Sequence, residues 1–228
     1  MKETSGQLSF STELFDQVTE FNLYPIRYMH HSWLKGIEHA DFINLLKGNE
    51  QSHFFLSRYL LGCLNVTTEC DYRIDSKDKK IALAQREELL NIALYIGIVL
   101  NEAVIRSVVR RHERSLLEEC LGESAYFFAV KKAQFLINHA ALSRSPEVLI
   151  DWQHPERFKS FLTISGLQVL GLVYSDLPDG FRKRLLLKFP KSWNRYFDDF
   201  DDIGITKEQG RSLLIKSHKE VNRQWQHL

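Results

Sequence analysis

The sequence has no proline between Pro25 and Pro146. Proline interrupts helices and central strands and marks turns, so an interval of this length favours helices. It contains the longest apolar run of the chain, Leu89 to Leu100, which Asn91 interrupts. A bilayer crossing needs about 20 apolar residues, and this run is roughly half as long. The run is therefore predicted to be a buried helix.

Around this run, the spacing of apolar residues predicts one long helix from a cap at Asp75 or Ser76 toward Arg111. Apolar residues recur mostly at three- and four-residue steps, and the middle of the helix is apolar on nearly all sides. Such a helix belongs at the centre of a bundle. Arg110, Arg111 and Arg114 are expected at its C-terminal end, where cations favour the helix dipole.

Capping signals and periodicity predict further helices along the chain. Start signals lie at Ser145-Pro146-Glu147 and His154-Pro155-Glu156, and the predicted ranges are 8–21, 37–46, 51–61, 125–139, 158–173 and 206–226. The segment from Phe181 to Phe189 fits a strand or a helix, and helix is favoured because no partner strand is evident. The predicted fold is all-α: a single compact multi-helix domain over residues 1–228, with a long central buried helix and with residues 1–10 left open to disorder.

Composition bounds the classes of protein to which the chain can belong. Its 228 residues suffice for a sizeable core, and an apolar fraction of 44% argues against disorder. A net charge of +1 is not the strongly basic footprint of a nucleic-acid-binding domain. Cys63, Cys70 and Cys120 form no CxxC pair and fit a reducing compartment. The first residues form no apolar signal region, so a cytoplasmic protein without membrane insertion is expected.

The sequence contains no local motif for catalysis, phosphate binding or metal binding. Glycine-rich phosphate loops and the nucleophile elbow are missing, and His30, His31 and His39 lack HExxH spacing. The acidic run 198–202 fails as an EF-hand loop because Phe200 stands where a ligand oxygen is needed. We therefore predict no catalytic, cofactor-binding or metal-binding residues.

The segment from Phe21 to Leu34 concentrates aromatic and imidazole rings around Pro25. Pro25 suits the first position of a helix because its φ angle is already fixed. Tyr28, His30 and Trp33 each combine an apolar body with a polar tip, and they are predicted to be largely buried. Two interpretations stay open: a packing corner whose polar tips are satisfied internally, or part of a partner interface.

Two charged clusters lie late in the chain. The basic cluster is Arg182, Lys183 and Arg184, and the acidic cluster is Asp198, Asp199, Asp201 and Asp202. Each can be a solvated surface. Each can also be a docking site for a partner of opposite charge, because charge sets on-rate and register at interfaces.

Three stretches resemble a known family in their order and spacing. The first is Phe-x-x-x-Pro-x-x-Tyr-x-His from Phe21 to His30, followed by Trp33-Leu34, and the second is the glycine-containing run 95–106. The third starts at Ser165-Gly166-Leu167 and continues through Phe181-Arg182-Lys183-Arg184-Leu185 to Pro190. Together they resemble the SctK family of type III secretion sorting-platform accessory proteins, which includes YscK, PscK and OrgA-like members.

The resemblance implies a scaffold protein of the bacterial injectisome and no enzymatic activity or cofactor. It implies a bridge between the cytoplasmic domain of the inner-membrane ring protein SctD and the pod built from SctQ. The stalk protein SctL and the export ATPase lie further along that assembly, at the cytoplasmic face of the inner membrane. The aromatic segment and both charged clusters are then the candidate partner-binding residues.

Two other functions remain as alternatives. One is a small helical enzyme with a dispersed active site, built from residues such as Tyr28, His30, Glu102 and Arg106. Sequence distance does not exclude it, because catalytic residues need not be local. The other is a regulatory chaperone, which is less favoured because such chaperones are commonly smaller and acidic.

Overall fold

The computed structural model describes residues 12–66, 69–136, 149–200 and 203–225, and within them the secondary structure is helical with no strand. Short 3-10 turns lie at His31–Leu34, Glu50–Ser52, Ala133–Phe135 and Lys191–Trp193. The α-helices in the described residues are α1 Thr12–Leu23, α2 Pro25–Tyr28, α3 Ala40–Leu46, α4 His53–Cys63, α5 Lys77–Ala82, α6 Arg86–Leu100, α7 Glu102–Ser107, α8 Arg111–Leu121, α9 Glu123–Lys131, α10 Pro155–Tyr174, α11 Asp179–Leu187, α12 Asn194–Asp198 and α13 Lys207–Trp225. The all-α prediction is confirmed.

The chain divides into two compact units. Unit 1 comprises Met1–Asp75 and Pro178–Lys191, and unit 2 comprises Ser76–Leu177 and Ser192–Leu228. Helices α1 to α4 and α11 belong to unit 1, and the other eight of the described helices belong to unit 2. The prediction of one domain over residues 1–228 stays a prediction.

The core of unit 2 is built on α6 and α10, which approach until backbone meets backbone. A Cβ at Gly97 of α6 would overlap the carbonyl of Leu162, and a Cβ at Gly166 of α10 would overlap the carbonyl of Ala93. Helix α12 approaches α10 in the same way, at Gly171. The buried centre predicted around Leu89–Leu100 is confirmed, since nine of the fifteen residues of α6 are buried.

The structure divides the range predicted as one long helix, from Asp75 or Ser76 toward Arg111, into several shorter helices. Ser76 does cap a helix, accepting from the Lys79 amide at 3.4 Å, but α5 ends at Ala82 and α6 begins only at Arg86. At the other end of α6, the Asn101 side chain donates to the Gly97 carbonyl at 2.9 Å, and the chain restarts as α7. An amide side chain bonded to the preceding turn competes with helix continuation.

The break also corrects the predicted place of the arginine cluster. Arg110 and Arg111 were expected at a helix C-terminus, whereas they occupy the cap and first position of α8. Other capping predictions are confirmed: Pro155 opens α10 at its first position, and Thr206 and Gln209 bond each other's backbone amides at the start of α13. The start signal at 145–147 lies outside the described residues.

The core of unit 1 is smaller. Leu34, Ile43, Leu56 and Leu60 form its buried cluster, with Ile26, Met29, Ile37, Ala40 and Leu46 packed around it. Pro25 begins α2, as predicted from its position. The segment predicted to be helix or strand forms helix α11, and its Phe181 ring lies 4.7 Å from the ring of Phe21.

Candidate partner-binding surfaces

The aromatic segment forms a packed corner of unit 1. The Tyr28 hydroxyl donates to the Phe21 carbonyl at 2.7 Å, and the two rings stack at a centroid distance of 5.9 Å. The Lys188 ammonium lies 5.2 Å from the Phe21 ring centroid and 5.6 Å from that of Tyr28, within cation–π range. Burial raises the pKa of Tyr28 well above its ordinary value, and the nearby charge of Arg184 opposes the rise.

The polar atoms of the two other candidates in this segment are also hydrogen-bonded within unit 1. The Trp33 indole N–H donates to the Phe189 carbonyl at 2.8 Å, and the ring is buried. His30 accepts from the Ser32 amide at 3.2 Å through Nδ1, and its own amide donates to the Leu187 carbonyl at 2.8 Å. Trp33 is buried as predicted, whereas Tyr28 and His30 are only partly buried. Contact with a partner stays a prediction for all three.

The basic cluster does not form one surface, and this corrects the prediction from sequence. Arg184 is 1% exposed, and its guanidinium donates to the carbonyls of Asn22 at 3.2 Å and Gly180 at 3.0 Å. Lys183 is partly exposed and pairs with Asp179 at 2.8 Å. Because three consecutive residues of a helix point about 100° apart, Arg184 turns inward while its neighbours do not. Only Arg182 and Lys183 remain candidates for a basic surface.

Half of the acidic cluster can be described. Asp198 ends α12 and Asp199 follows it, and both side chains are exposed. The Asp199 amide donates to the Arg195 carbonyl at 3.0 Å, which fixes the backbone at this end of the helix. Asp201 and Asp202 lie outside the described residues, so the acidic docking site stays a prediction.

An exposed apolar surface that the sequence analysis missed lies on α3 and α4. It consists of Phe42, Leu45, Phe54, Phe55 and Tyr59, which we call the aromatic surface. Phe55 is 72% exposed and Leu45 77% exposed. The opposite sides of the same two helices contribute to the buried cluster of unit 1. The sequence contains one indication of this surface, the adjacent phenylalanines Phe54 and Phe55. Helix geometry prevents two adjacent residues from facing the same core.

The described residues offer no group of three or more His, Cys, Asp or Glu side chains that could hold a metal ion. Among the helices of the described ranges, none has the length and apolarity to span a bilayer.

A family model described as YOP proteins translocation protein K (YscK) matches residues 17–228. The chain belongs to the YscK family. This confirms the resemblance drawn from the three sequence stretches, and it makes the chain a sorting-platform protein of type III secretion.

A solved structure resembles this YscK-family chain over nearly its whole length. It is the cytoplasmic domain of the T3SS sorting platform protein PscK from P. aeruginosa, with a TM-score of 0.57. The two are 22% identical, and the alignment covers 92% of this chain and 97% of the PscK chain. At this identity the likeness shows a shared fold. No curated protein matches the sequence.

As a member of the YscK family the chain is a structural protein and not an enzyme. The residues of the enzyme alternative fall in different units: Tyr28 and His30 in unit 1, Glu102 and Arg106 in unit 2. Within unit 2, Glu102 is buried and its carboxylate pairs with Arg106 at 3.4 Å. An i,i+4 pair of this kind is ordinary helix stabilisation.

Proposed function

We propose that the chain is an adaptor of the sorting platform that holds two proteins at once, the cytoplasmic domain of the ring protein SctD and the SctQ pod. Its place would be the bacterial cytoplasm, at the inner face of the inner membrane. SctL and the export ATPase would be linked to it only through the pod. This function needs no cofactor, no nucleic acid and no insertion into the membrane.

The observation that carries the proposal is the aromatic surface in a chain of the YscK family. Monomeric soluble proteins rarely leave several large apolar side chains exposed together, and such groups mark surfaces that bind other proteins. Phe54 lies 5.7 Å from Phe55 and 6.4 Å from Tyr24 between ring centroids, so aromatic rings cluster here. Unit 1 therefore has apolar area to offer one partner.

A bridge also needs a second, separable surface. Asp198 and Asp199 are exposed in unit 2, whereas the aromatic surface and the candidates Arg182 and Lys183 belong to unit 1. Charged surfaces act through long-range attraction, which is screened beyond a Debye length of about 10 Å at 0.1 M salt. The proposal therefore assigns one partner to each unit.

The direct test is formation of a ternary complex from the purified chain, the SctD cytoplasmic domain and SctQ. Size-exclusion chromatography with light scattering should show one species with the summed mass of all three. If SctD and SctQ each bind but displace one another, the bridging proposal is wrong. If neither binds, the assignment of both partners is wrong.

The acidic site can be tested within the same assay. Asp198→Asn combined with Asp199→Asn should weaken one partner and leave the other unchanged, with the larger loss at low salt. The matched control is Glu118→Gln with Glu119→Gln, which removes two exposed carboxylates from α8. Equal binding by both double variants would contradict a docking role for Asp198 and Asp199.

A further inference from the structure

Unit 2 carries a second basic surface, where α7 gives way to α8. Its members are Arg106, Val109, Arg110, Arg111 and Arg114, and we call it the arginine surface. All five side chains are exposed, with Arg110 83% and Val109 73% accessible. It contains four arginines in nine residues of a chain whose total net charge is +1.

The stability of α8 does not explain these arginines. The N-terminus of a helix carries partial positive charge, so cations there are unfavourable and acids are preferred. Arg110 occupies the cap position without a side-chain cap bond, and Arg111 is the first helical residue. Glu113 follows the rule, whereas Arg110 and Arg111 break it. Natural proteins break such local rules at functional sites.

Two of the arginines already hold carboxylates. Arg110 pairs with Glu113 at 3.3 Å and Arg106 with Glu102 at 3.4 Å. The Arg114 side chain folds back over the junction, where its Nε donates to the Val108 carbonyl at 2.9 Å. The Arg111 side chain makes no hydrogen bond or ion pair with any other residue of the described ranges. Four arginines with two paired carboxylates leave an excess of two positive charges on this surface.

We propose that the arginine surface binds an acidic segment of one of the sorting-platform partners, an inference that rests on the proposed function. Carboxylates of the segment would contact Arg110, Arg111 and Arg114, since guanidinium groups bind carboxylates through paired N–H donors. An apolar side chain of the segment would cover Val109. Complementary charge would speed association and fix the register of the segment on α8.

A protein partner fits this surface better than a membrane does. A helix that lies on a bilayer turns a wide apolar face with large side chains toward the lipid. Of the leucines of α8, Leu117 and Leu121 are buried instead and Leu116 is partly buried. Among the five members of the arginine surface, Val109 is the one apolar side chain, and the four others are charged, which favours a peptide with acidic residues.

The test compares two double variants of the full chain. Arg110→Gln with Arg111→Gln removes two charges from the arginine surface and leaves Arg106 paired with the buried Glu102. The matched control, Arg157→Gln with Lys219→Gln, removes two exposed charges elsewhere in unit 2. Thermal denaturation checks that both variants fold. Affinity for the SctD cytoplasmic domain and for SctQ is then measured by calorimetry at 0.05 and 0.3 M salt.

We expect the Arg110 and Arg111 variant to lose at least tenfold in affinity for one partner at low salt, and to show a weaker salt dependence. Equal affinities for the two variants, with wild-type binding intact, would overturn the inference and leave the proposed function standing. Failure of the wild type to bind either protein would overturn both. Phosphatidylglycerol vesicles are the remaining probe: binding that needs Arg110 and Arg111, without loss of protein affinity, would assign the surface to lipid and also overturn the inference.

Discussion

Helices in unit 2 meet through their backbones, whereas segments of unit 1 are joined by side chains that reach backbone carbonyls. In unit 2, Gly97 and Gly166 bring α6 and α10 so close that no Cβ fits between them. In unit 1, the side chains of Trp33, Arg184 and Asn22 donate to the carbonyls of Phe189, Asn22 and Asp71. These bonds link segments that are far apart in the sequence.

This difference in packing bears on which apolar side chains each unit leaves exposed for a binding partner. The apolar side chains at the centre of α6 are buried in the densely packed core of unit 2, and the phenylalanines that unit 2 does expose, Phe127 and Phe135, lie on α9 and the turn after it. Unit 1 is held by a few directional bonds and a small cluster, and it leaves the aromatic surface outside. Substitutions should therefore affect stability most in unit 2, while unit 1 should tolerate changes on its exposed helices.

Ile98→Asp is the substitution that we expect to destabilise unit 2 most. Ile98 is fully buried on α6, and an aspartate there would lose apolar burial and place an unpaired carboxylate in the core. We expect a loss of about 5 kcal/mol in the free energy of unfolding, which equals the whole stability of a marginally stable domain. Urea denaturation followed by circular dichroism measures it. Leu45→Asp is the contrasting variant in unit 1 and should change stability by less than about 0.5 kcal/mol, because Leu45 is exposed.

Gly97→Ala and Gly62→Ala form a matched pair with opposite expected signs. The new methyl at position 97 would overlap the Leu162 carbonyl and push α6 from α10, which should cost about 3 kcal/mol. At Gly62 of α4 a Cβ would meet nothing within 4 Å, so alanine should add about 0.5 kcal/mol through helix propensity. Equal shifts in the urea midpoint would show that the close crossing is not a constraint.

Much of the fold could be predicted because helix signals are local. Pro155 and the capping box at Thr206 each act within a few residues, and the structure has helices where they predict them. The end of α6 could not be predicted in this way. The apolar pattern continues past Asn101, and the bond from its side chain to Gly97 is visible only in three dimensions.

The candidate surfaces were harder to predict, because exposure depends on what packs against each residue. Arg184 lies in a basic run that indicates solvent, yet its guanidinium is bonded to carbonyls inside unit 1. Phe55 is apolar, which indicates a core, yet it lies on the outer side of α4. Periodicity gives the two sides of a helix but not which side is covered.

Trp33→Phe tests the bonded corner of unit 1. It removes the indole N–H that donates to the Phe189 carbonyl at 2.8 Å, together with part of a buried ring. The expected loss is about 1–2 kcal/mol, less than at the α6–α10 crossing. Capture of SctD and SctQ is then measured below the melting temperature of the variant. This measurement distinguishes a loss of internal packing from the loss of a contact with a partner. Weaker capture at unchanged stability would show that Trp33 contacts a partner.

The smallest effect we expect is a pH dependence carried by one tyrosine in each unit. Burial raises the pKa of Tyr28 and of Tyr174, and the carboxylate of Asp78 raises that of Tyr174 further. A raised pKa means that the folded state holds the phenol proton when an unfolded tyrosine releases it. The associated stability is therefore complete below the unfolded pKa of about 10 and is lost as the pH rises above it.

Each tyrosine also donates one hydrogen bond, to the Phe21 carbonyl at 2.7 Å or the Asp78 carbonyl at 3.0 Å. Tyr28→Phe and Tyr174→Phe should each cost about 1 kcal/mol at pH 7.5 because that bond is lost. Between pH 9.5 and 11 each variant should lose less stability than the wild type, since phenylalanine cannot ionise in the unfolded chain. Urea midpoints across this range measure both effects. If the urea midpoints of both variants decline with pH as steeply as that of the wild type, neither phenol keeps its proton in the folded state. The two units would then not share a buried tyrosine with a raised pKa.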